Sequence, residues 1–224
     1  ADFWLSINRI RLDTYPKKQT NIKINMKTIT LITLFVGALA FITNAYASVS
    51  TNVGIATDYL WRGATASNSE AVVYGGMDYE GEGYYAGVWT SSCGSATGAE
   101  TDFYIGTDIN GFDVGYIAYE YAGVDGTASG ADFQEFYVGY SYQGFDLGYS
   151  VEDGVSDNEF FSVSYGLPTI IEGVDASLTY GDVQRLDSAD DYDYVQLDLS
   201  VGDVTLTLID NDGTTAALSY SLPL

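Results

Sequence analysis

Strict alternation of apolar and polar residues constrains this chain more than any other feature. In residues 145–152, polar and small residues alternate with the apolar side chains of Phe145, Leu147, Tyr149 and Val151. A period of two is that of a β-strand with one apolar face. After residue 47 no stretch shows the 3.6-residue apolar period of a helix. The sequence therefore predicts an all-β fold.

Alternating segments recur along the chain and predict about 12 strands. They are 49–61, 71–79, 84–91, 101–109, 112–121, 133–142, 145–152, 159–166, 174–180, 192–201, 203–209 and 215–222. The facing of 84–91 stays open, because both of its sides carry aromatic residues. Short turns such as Asn110-Gly111, a type I′ hairpin sequence, alternate with longer polar loops. Short periplasmic turns and longer outer loops are typical of outer-membrane barrels.

Aromatic residues mark the ends of these segments. Those next to short turns are Tyr79, Tyr84, Phe112, Tyr142, Phe145 and Tyr165, while Tyr59 and Trp61 sit at the other end of the first segment. Aromatic residues at both ends of an apolar band suit the two membrane interfaces. We therefore predict a closed antiparallel transmembrane β-barrel, since open strand edges do not occur in hydrocarbon. A soluble, secreted, acidic β-sandwich that acts as a binding module is the alternative.

The beginning of the chain indicates export. Met26-Lys27, the apolar run 28–43 and the small-x-small sequence Ala45-Tyr46-Ala47 form the pattern of a secretory signal peptide. We predict a signal peptide over 26–47 and a single barrel domain over 48–224. Residues 1–25 contain no Met, and we interpret them as an upstream extension from a wrongly assigned start.

The predicted mature chain is strongly acidic. Of the eight basic residues only Arg62 and Arg185 lie after residue 47, together with 29 of the 31 acidic residues, which gives a net charge of −27. Nucleic acid is therefore excluded as a partner, because phosphate binding needs Lys and Arg. The absence of His removes Ser-His-Asp and Cys-His catalysis, and the single Cys93 cannot form an internal disulfide. We predict neither an enzyme nor a cofactor.

One stretch carries a family resemblance. Residues 52–80 read NVGIATDYLWRGATASNSEAVVYGGMDYE, and the later segments TDFYIG and EFYVGYSY continue the similarity to about residue 142. These motifs resemble the TorF-type porins, a proteobacterial family of exported proteins. The resemblance implies a barrel in the outer membrane of a Gram-negative cell.

Polar-face carboxylates are the candidate functional residues. If the apolar face meets lipid, the lumen receives Asp58, Asp78, Asp102, Asp108, Asp113, Glu135, Asp146, Asp175 and Asp198. Rings of acidic side chains favour cations, so we predict a small porin that passes small solutes and favours cations. A filled barrel with a structural or surface-interaction role is the alternative. The expected partners are outer-membrane lipid and lipopolysaccharide, and the oligomeric state is left open.

Arg62 lies on the same face as Asp58, where the first segment enters the first long loop. A planar guanidinium holds carboxylates bidentately. We therefore expect Arg62 to point inward near the outer mouth, to pair with a carboxylate of a neighbouring strand, and to pin the first loop. A partly exposed pair worth at most about 1 kcal/mol is the alternative. The acidic loop 210–213 lacks the downstream Glu of an EF-hand, so we interpret it as an ordinary turn and predict no metal ligands.

Overall fold

The computed structural model describes residues 47–94, 98–122, 133–153, 158–185 and 190–224. The predicted upstream extension 1–25 and signal peptide 26–47 lie outside these residues, apart from Ala47. Within the described ranges, no helix is long and apolar enough to cross a membrane.

Strands account for most of the described chain. In sequence order they are β1 (Ser48–Ala56), β2 (Leu60–Trp61), β3 (Ala64–Thr65), β4 (Val72–Gly81), β5 (Tyr84–Ser91), β6 (Ala99–Ile109), β7 (Phe112–Ala122), β8 (Phe133–Tyr142), β9 (Phe145–Asp153), β10 (Glu159–Gly166), β11 (Asp175–Gln184), β12 (Tyr192–Val201), β13 (Val204–Asp210) and β14 (Thr214–Pro223). Strands β2 and β3 pair only with each other, and the other twelve form a closed antiparallel barrel.

The barrel closes through its first strand. β1 pairs with β4 along its whole length and with β14 from Asn52 to Ala56. The all-β prediction and the closed twelve-stranded barrel are therefore confirmed. The β-sandwich alternative is wrong, because a single sheet returns on itself and leaves neither β1 nor β14 as an edge.

The strand register places apolar side chains on the outside of the barrel. Val53 pairs with Leu222 and Ile55 with Tyr220, and all four side chains are exposed. The register also settles the facing of 84–91. Val88 pairs with Phe103 on the outer face, whereas Trp89 pairs with Asp102 on the inner face.

Most short turns lie at one end of the barrel and most longer connections at the other, as predicted; the exceptions are the long connection 167–174 and the short connection 211–213. In the turn between β6 and β7, Asn110 and Gly111 both have positive φ, 57° and 85°, which is the type I′ geometry. Ser48 pairs with Glu80 beside the short β4–β5 turn, so β1 begins at the short-turn end. β14 ends there as well, because Asn52 pairs with Pro223.

The first predicted segment, 49–61, is not one strand. β1 ends at Ala56, and the amide of Thr57 makes a last wall contact by donating to the Leu218 carbonyl at 2.9 Å. The chain then turns into the barrel. Tyr59 and Trp61 consequently lie inside, and their predicted position at a membrane interface is wrong. The alternation continued past Ala56 because the β2–β3 hairpin has the same period of two as the wall.

Tyrosine rings fill much of the interior by lying over glycines of adjacent strands. A Cβ atom at any of these glycines would collide with the ring; the pairs are Gly54–Tyr74, Gly87–Tyr104, Gly106–Tyr85, Gly115–Tyr137 and Gly181–Tyr194. Glycine is therefore needed for close approach, and each tyrosine covers interior wall that a side chain would otherwise occupy. The open lumen is narrower than twelve strands alone would leave.

Candidate functional site

The first long loop folds into the barrel and ends in a tight hairpin. Leu60 and Trp61 pair with Thr65 and Ala64, and the turn residues Arg62 and Gly63 have φ values of 48° and 82°. This is type I′ geometry, which Asn-Gly adopts easily and arginine does not. Strain of this kind persists only where the surroundings hold the residue in place.

Asp58 braces the base of this loop. Its carboxylate accepts hydrogen bonds from the Thr65 hydroxyl at 2.6 Å and the Ser67 hydroxyl at 2.8 Å. The Ser67 hydroxyl oxygen also accepts from the Tyr59 amide at 2.9 Å. Asp58 and Ser67 are both buried. These contacts tie the two sides of the loop together, so this carboxylate serves the loop and does not project from the strand wall.

Arg62 reaches the opposite wall of the barrel. Its Nη1 and Nη2 atoms donate to the two carboxylate oxygens of Glu135 on β8, at 2.6 Å and 2.7 Å. Nη2 also donates to the Ser150 hydroxyl on β9 at 3.0 Å. In the ring of twelve strands, β8 and β9 lie across from β1. The hairpin therefore spans the lumen. Arg62 points inward and pairs with a carboxylate, as expected, but the prediction of a partner on a neighbouring strand is wrong, because Glu135 lies across the barrel.

Two aromatic rings flank the same guanidinium. Its carbon lies 3.6 Å from the centroid of Phe160 and 4.2 Å from that of Trp61, within the range of cation–π attraction. Burial lowers the pKa of Arg62, but hydrogen bonding and the charge of Glu135 outweigh burial and raise the pKa overall. The guanidinium therefore stays charged.

Apolar packing and hydrogen bonds from side chains to backbone carbonyls complete the attachment of the hairpin to the barrel interior. Leu60, Trp61 and Tyr192 pack on a buried interior cluster formed by Phe160, Val183, Tyr194 and Ile209. The Tyr192 hydroxyl donates to the Arg62 backbone carbonyl at 3.0 Å, and the side-chain Nδ2 of Asn211 donates to the Gly63 backbone carbonyl at 3.3 Å. The Tyr194 ring leaves no room for a Cβ at position 63, so glycine is required there by contact as well as by conformation.

Cavities of similar size lie on the two sides of the hairpin. One of 220 Å³ is bounded by Arg62, Tyr137, Ser150, Phe160 and Tyr194, against strands β8 to β12. Another of 200 Å³ lies against Asp58, Tyr59, Leu60 and Trp89, on the side of β1, β4, β5 and β12 to β14. The hairpin thus divides the interior and constricts it.

The remaining predicted lumen acids occupy inward-facing register positions: Asp78, Asp102, Asp108, Asp113, Asp146, Asp175 and Asp198. Several are hydrogen-bonded to neighbours. Asp78 accepts from the Tyr104 hydroxyl, Asp113 from the Tyr85 hydroxyl at 2.6 Å, and Asp198 from the Thr207 hydroxyl at 2.6 Å. Their role as pore-lining residues stays a prediction.

Glu100 is an interior carboxylate that sequence reasoning missed. It is 2% exposed and accepts hydrogen bonds from the Cys93 thiol and the Tyr121 hydroxyl, both at 2.9 Å. Burial raises the pKa of the Cys93 thiol, so the thiol stays protonated and unreactive. Glu100 directly precedes the predicted segment 101–109 and shares its even-numbered polar face, which was the available signal. Across the described ranges, no group of three or more acidic, His or Cys side chains is arranged to hold a metal ion.

The fold and this interior define a closed β-barrel protein whose first loop is folded into its lumen. Residues 42–220 match the model of the Gcw_chp family, described as bacterial proteins of unknown function. The chain belongs to this family. The match does not confirm the narrower TorF-type resemblance. No curated protein matches the chain at a significant level.

Several solved structures are similar to this chain at low identity. One, from work on the in-meso crystallization of membrane proteins, is 9% identical over 78% of this chain and 83% of its own, with a TM-score of 0.47. The outer membrane protein OpdK of Pseudomonas aeruginosa is 13% identical over 69% of this chain and 58% of its own, with a TM-score of 0.37. OccK9 (OpdG) of the same organism is 14% identical over 81% of this chain and 64% of its own, with a TM-score of 0.34. The chain spans less than two thirds of either Pseudomonas protein, and these scores carry no functional inference.

Removing one partner of the Arg62–Glu135 pair should destabilise the folded barrel. Arg62→Met leaves the Glu135 carboxylate buried without its cation, which should lower the free energy of unfolding by about 3–5 kcal/mol. The double variant Arg62→Met/Glu135→Leu should recover much of that loss. Urea unfolding of the refolded protein in detergent measures both.

Arg185→Met is the matched control for the Arg62 and Glu135 substitutions. Arg185 is exposed and lies 5.3 Å from the Tyr192 ring centroid, so its loss should change stability by at most about 0.5 kcal/mol. Additive effects of the Arg62 and Glu135 substitutions would show that the two side chains are not coupled.

Proposed function

We propose that this protein is an outer-membrane β-barrel through which small solutes diffuse passively, with cations favoured over anions. The observation that carries the proposal is the contrast between the two faces of one closed sheet. The outer face is apolar along its middle, and the inner face carries carboxylates. The signal peptide expected over 26–47 supplies the route of export.

The outer surface supports a position in the membrane. Val73, Ile105, Phe136 and Leu178 lie on different strands, and each has more than two fifths of its surface exposed. Soluble proteins rarely leave apolar patches this extensive uncovered, whereas hydrocarbon covers them without cost. Barrel closure also satisfies the backbone hydrogen bonds that lipid cannot.

Aromatic pairs beside the short turns support the same position. On the outer face, the ring centroids of Phe112 and Tyr140 lie 4.8 Å apart, and those of Phe145 and Tyr165 lie 4.6 Å apart. Aromatic residues prefer the boundary between hydrocarbon and water. The short turns would then face the periplasm, and the acidic long loops would face lipopolysaccharide.

Charge inside the barrel supports a preference for cations. Arg62 is the basic side chain that enters the described interior, and Glu135 neutralises it. The inward-facing aspartates, such as Asp78 and Asp198, are not matched by further Lys or Arg, because residues 48–224 contain only one other basic residue, Arg185. An acidic pore attracts cations and repels anions.

The position of the hairpin supports a small upper limit on the size of solutes that pass through the barrel. It crosses the lumen from β1 to β8, and the cavities on its two sides measure 220 and 200 Å³. Solutes much larger than these cavities would have to displace the hairpin from its ion pair.

A filled barrel with a structural or surface-interaction role is the second candidate. It is favoured by the apolar cluster of Phe160, Val183, Tyr194 and Ile209, on which the hairpin packs. That cluster would hold the loop in place even without Arg62. Conductance separates the two candidates.

Insertion into a bilayer is tested by paired arginine substitutions on adjacent residues. Leu197 faces outward in the middle of β12, and Gln196 faces inward. Leu197→Arg should cost about 2–4 kcal/mol of stability in lipid, while Gln196→Arg should cost much less. Equal tolerance of both variants, measured by unfolding in liposomes, would contradict a membrane position.

The passage is tested by single-channel currents in a planar bilayer. The wild-type protein should conduct, and its reversal potential in a salt gradient should favour cations. Arg62→Ala should enlarge the conductance and increase cation selectivity, because it frees both the loop and the Glu135 carboxylate. Arg185→Ala should leave both unchanged.

A folded, inserted protein without measurable current would favour the filled barrel. Folding is checked independently by the shift in gel mobility between heated and unheated samples. Unchanged current and selectivity in a folded Arg62→Ala variant would contradict the role of the hairpin as the constriction.

A further inference from the structure

The 220 Å³ cavity beside Arg62 is bounded on one side by small residues. Gly139 on β8 pairs with Gly148 on β9, Gly148 pairs with Ser162 on β10, and Ser162 pairs with Gly181 on β11. Four adjacent strands therefore present little or no side chain at one level of the wall. The result is a recess in this part of the wall, separate from the 200 Å³ cavity on the other side of the hairpin.

Two of these glycines differ from the tyrosine-covered glycines elsewhere in the barrel. A Cβ at Gly139 would meet nothing closer than 3.5 Å, and a Cβ at Gly148 would meet only the Ser162 hydroxyl, at 2.8 Å. No tyrosine ring lies within 4 Å of a Cβ built at either glycine. The recess is therefore space that the tyrosine packing leaves open.

Polar groups without protein partners border this recess. Tyr194 is 7% exposed, and its ring end lies over Gly181, the register partner of Ser162. Among the described residues, neither the Tyr194 nor the Ser162 hydroxyl makes a hydrogen bond. The Ser150 oxygen accepts from Arg62, which leaves its own proton available to donate. All three hydroxyls line the cavity, so they are placed to exchange hydrogen bonds with a ligand there.

The charges around the cavity favour an uncharged ligand. Both terminal nitrogens of Arg62 are engaged by Glu135, so the guanidinium has little capacity left for an anion. Asp182 borders the cavity from β11, but it pairs with the exposed Phe161 on the outer face of the sheet. The inward carboxylate of Asp113 lies beside Gly139, but it already accepts a hydrogen bond from the Tyr85 hydroxyl. Among the described residues that border the recess, no inward carboxylate is therefore left without a partner for a cation.

We propose that this recess binds a neutral polyhydroxyl solute the size of a monosaccharide. The Tyr194, Ser162 and Ser150 hydroxyls exchange hydrogen bonds with its hydroxyl groups, and the Phe160 and Tyr194 rings cover its less polar face. A volume of 220 Å³ is below the range of roughly 300–1,000 Å³ typical for drug-sized ligands. The proposal rests on the proposed passage only for delivery of the solute.

Three hexose derivatives of similar size test the ligand class. Glucose is neutral, gluconate carries a negative charge and glucosamine a positive one. Binding to the folded wild-type protein in detergent is measured by saturation-transfer NMR and calorimetry. Glucose should bind more tightly than both charged probes. Tighter binding of either charged probe, or no binding of glucose, would overturn the proposal.

Substitutions test the location. Ser162→Ala and Tyr194→Phe each remove one hydrogen bond and should weaken glucose binding about three- to tenfold. Gly139→Val fills the recess from a position with ordinary contact distances, and it should abolish binding. Gly166→Val is the control, because a Cβ at Gly166 meets nothing within 4 Å. Equal losses in Gly139→Val and Gly166→Val would overturn the assignment.

Conductance separates this inference from the proposed function. Glucose binding in detergent without any current in a bilayer would support the ligand site in the recess and contradict the proposed passage of solutes through the barrel. Current that glucose does not reduce, together with no binding in detergent, would overturn the recess and leave the passage standing.

Discussion

The bidentate ion pair between Arg62 and Glu135 is the interaction on which the interior of this barrel depends. It joins the first loop to a strand on the far side of the lumen, between residues 73 positions apart in sequence. A buried ion pair seldom adds much net stability, because both charges lose their hydration. Its value here is geometric: it sets where the hairpin ends. Ser150, Phe160 and Trp61 then hold the guanidinium from its other sides.

The hairpin and the tyrosine packing act together. Interior glycines let tyrosine rings lie against the wall, and these rings narrow the lumen. The ring of Tyr194 links the tyrosine packing to the hairpin, because it lies over Gly181 of the wall and against Gly63 of the hairpin. Replacing either glycine would move this ring and, with it, the turn that carries Arg62. Beside Gly139 and Gly148 this packing is absent, which leaves the recess open.

Most of the fold could be predicted from local sequence. A period of two, repeated twelve times with alternating short and long connections, specifies an antiparallel sheet, and Asn110-Gly111 specifies its turn type. The same rule failed at residues 57–61, because a tight hairpin continues the alternation of the strand before it. The change of direction at Asp58 depends on Thr65 and Ser67, whose hydrogen bonds no periodicity reveals. Likewise, Arg62 could be expected to meet a carboxylate, but the choice of Glu135 follows from closure of twelve strands, which places β8 opposite β1.

The position of the Trp61 side chain tests the inward fold of the first loop most directly. Its ring centroid lies 5.9 Å from that of Phe160 and 6.1 Å from that of Tyr119. Trp89 is the other tryptophan after residue 47, and it packs on Tyr59 at 5.3 Å, so it provides an internal reference. In NOE spectra of the folded protein in detergent, the Trp61 indole should show cross-peaks to the Phe160 and Tyr119 rings. Cross-peaks for Trp89 but none between Trp61 and those two rings would contradict a loop held inside the barrel.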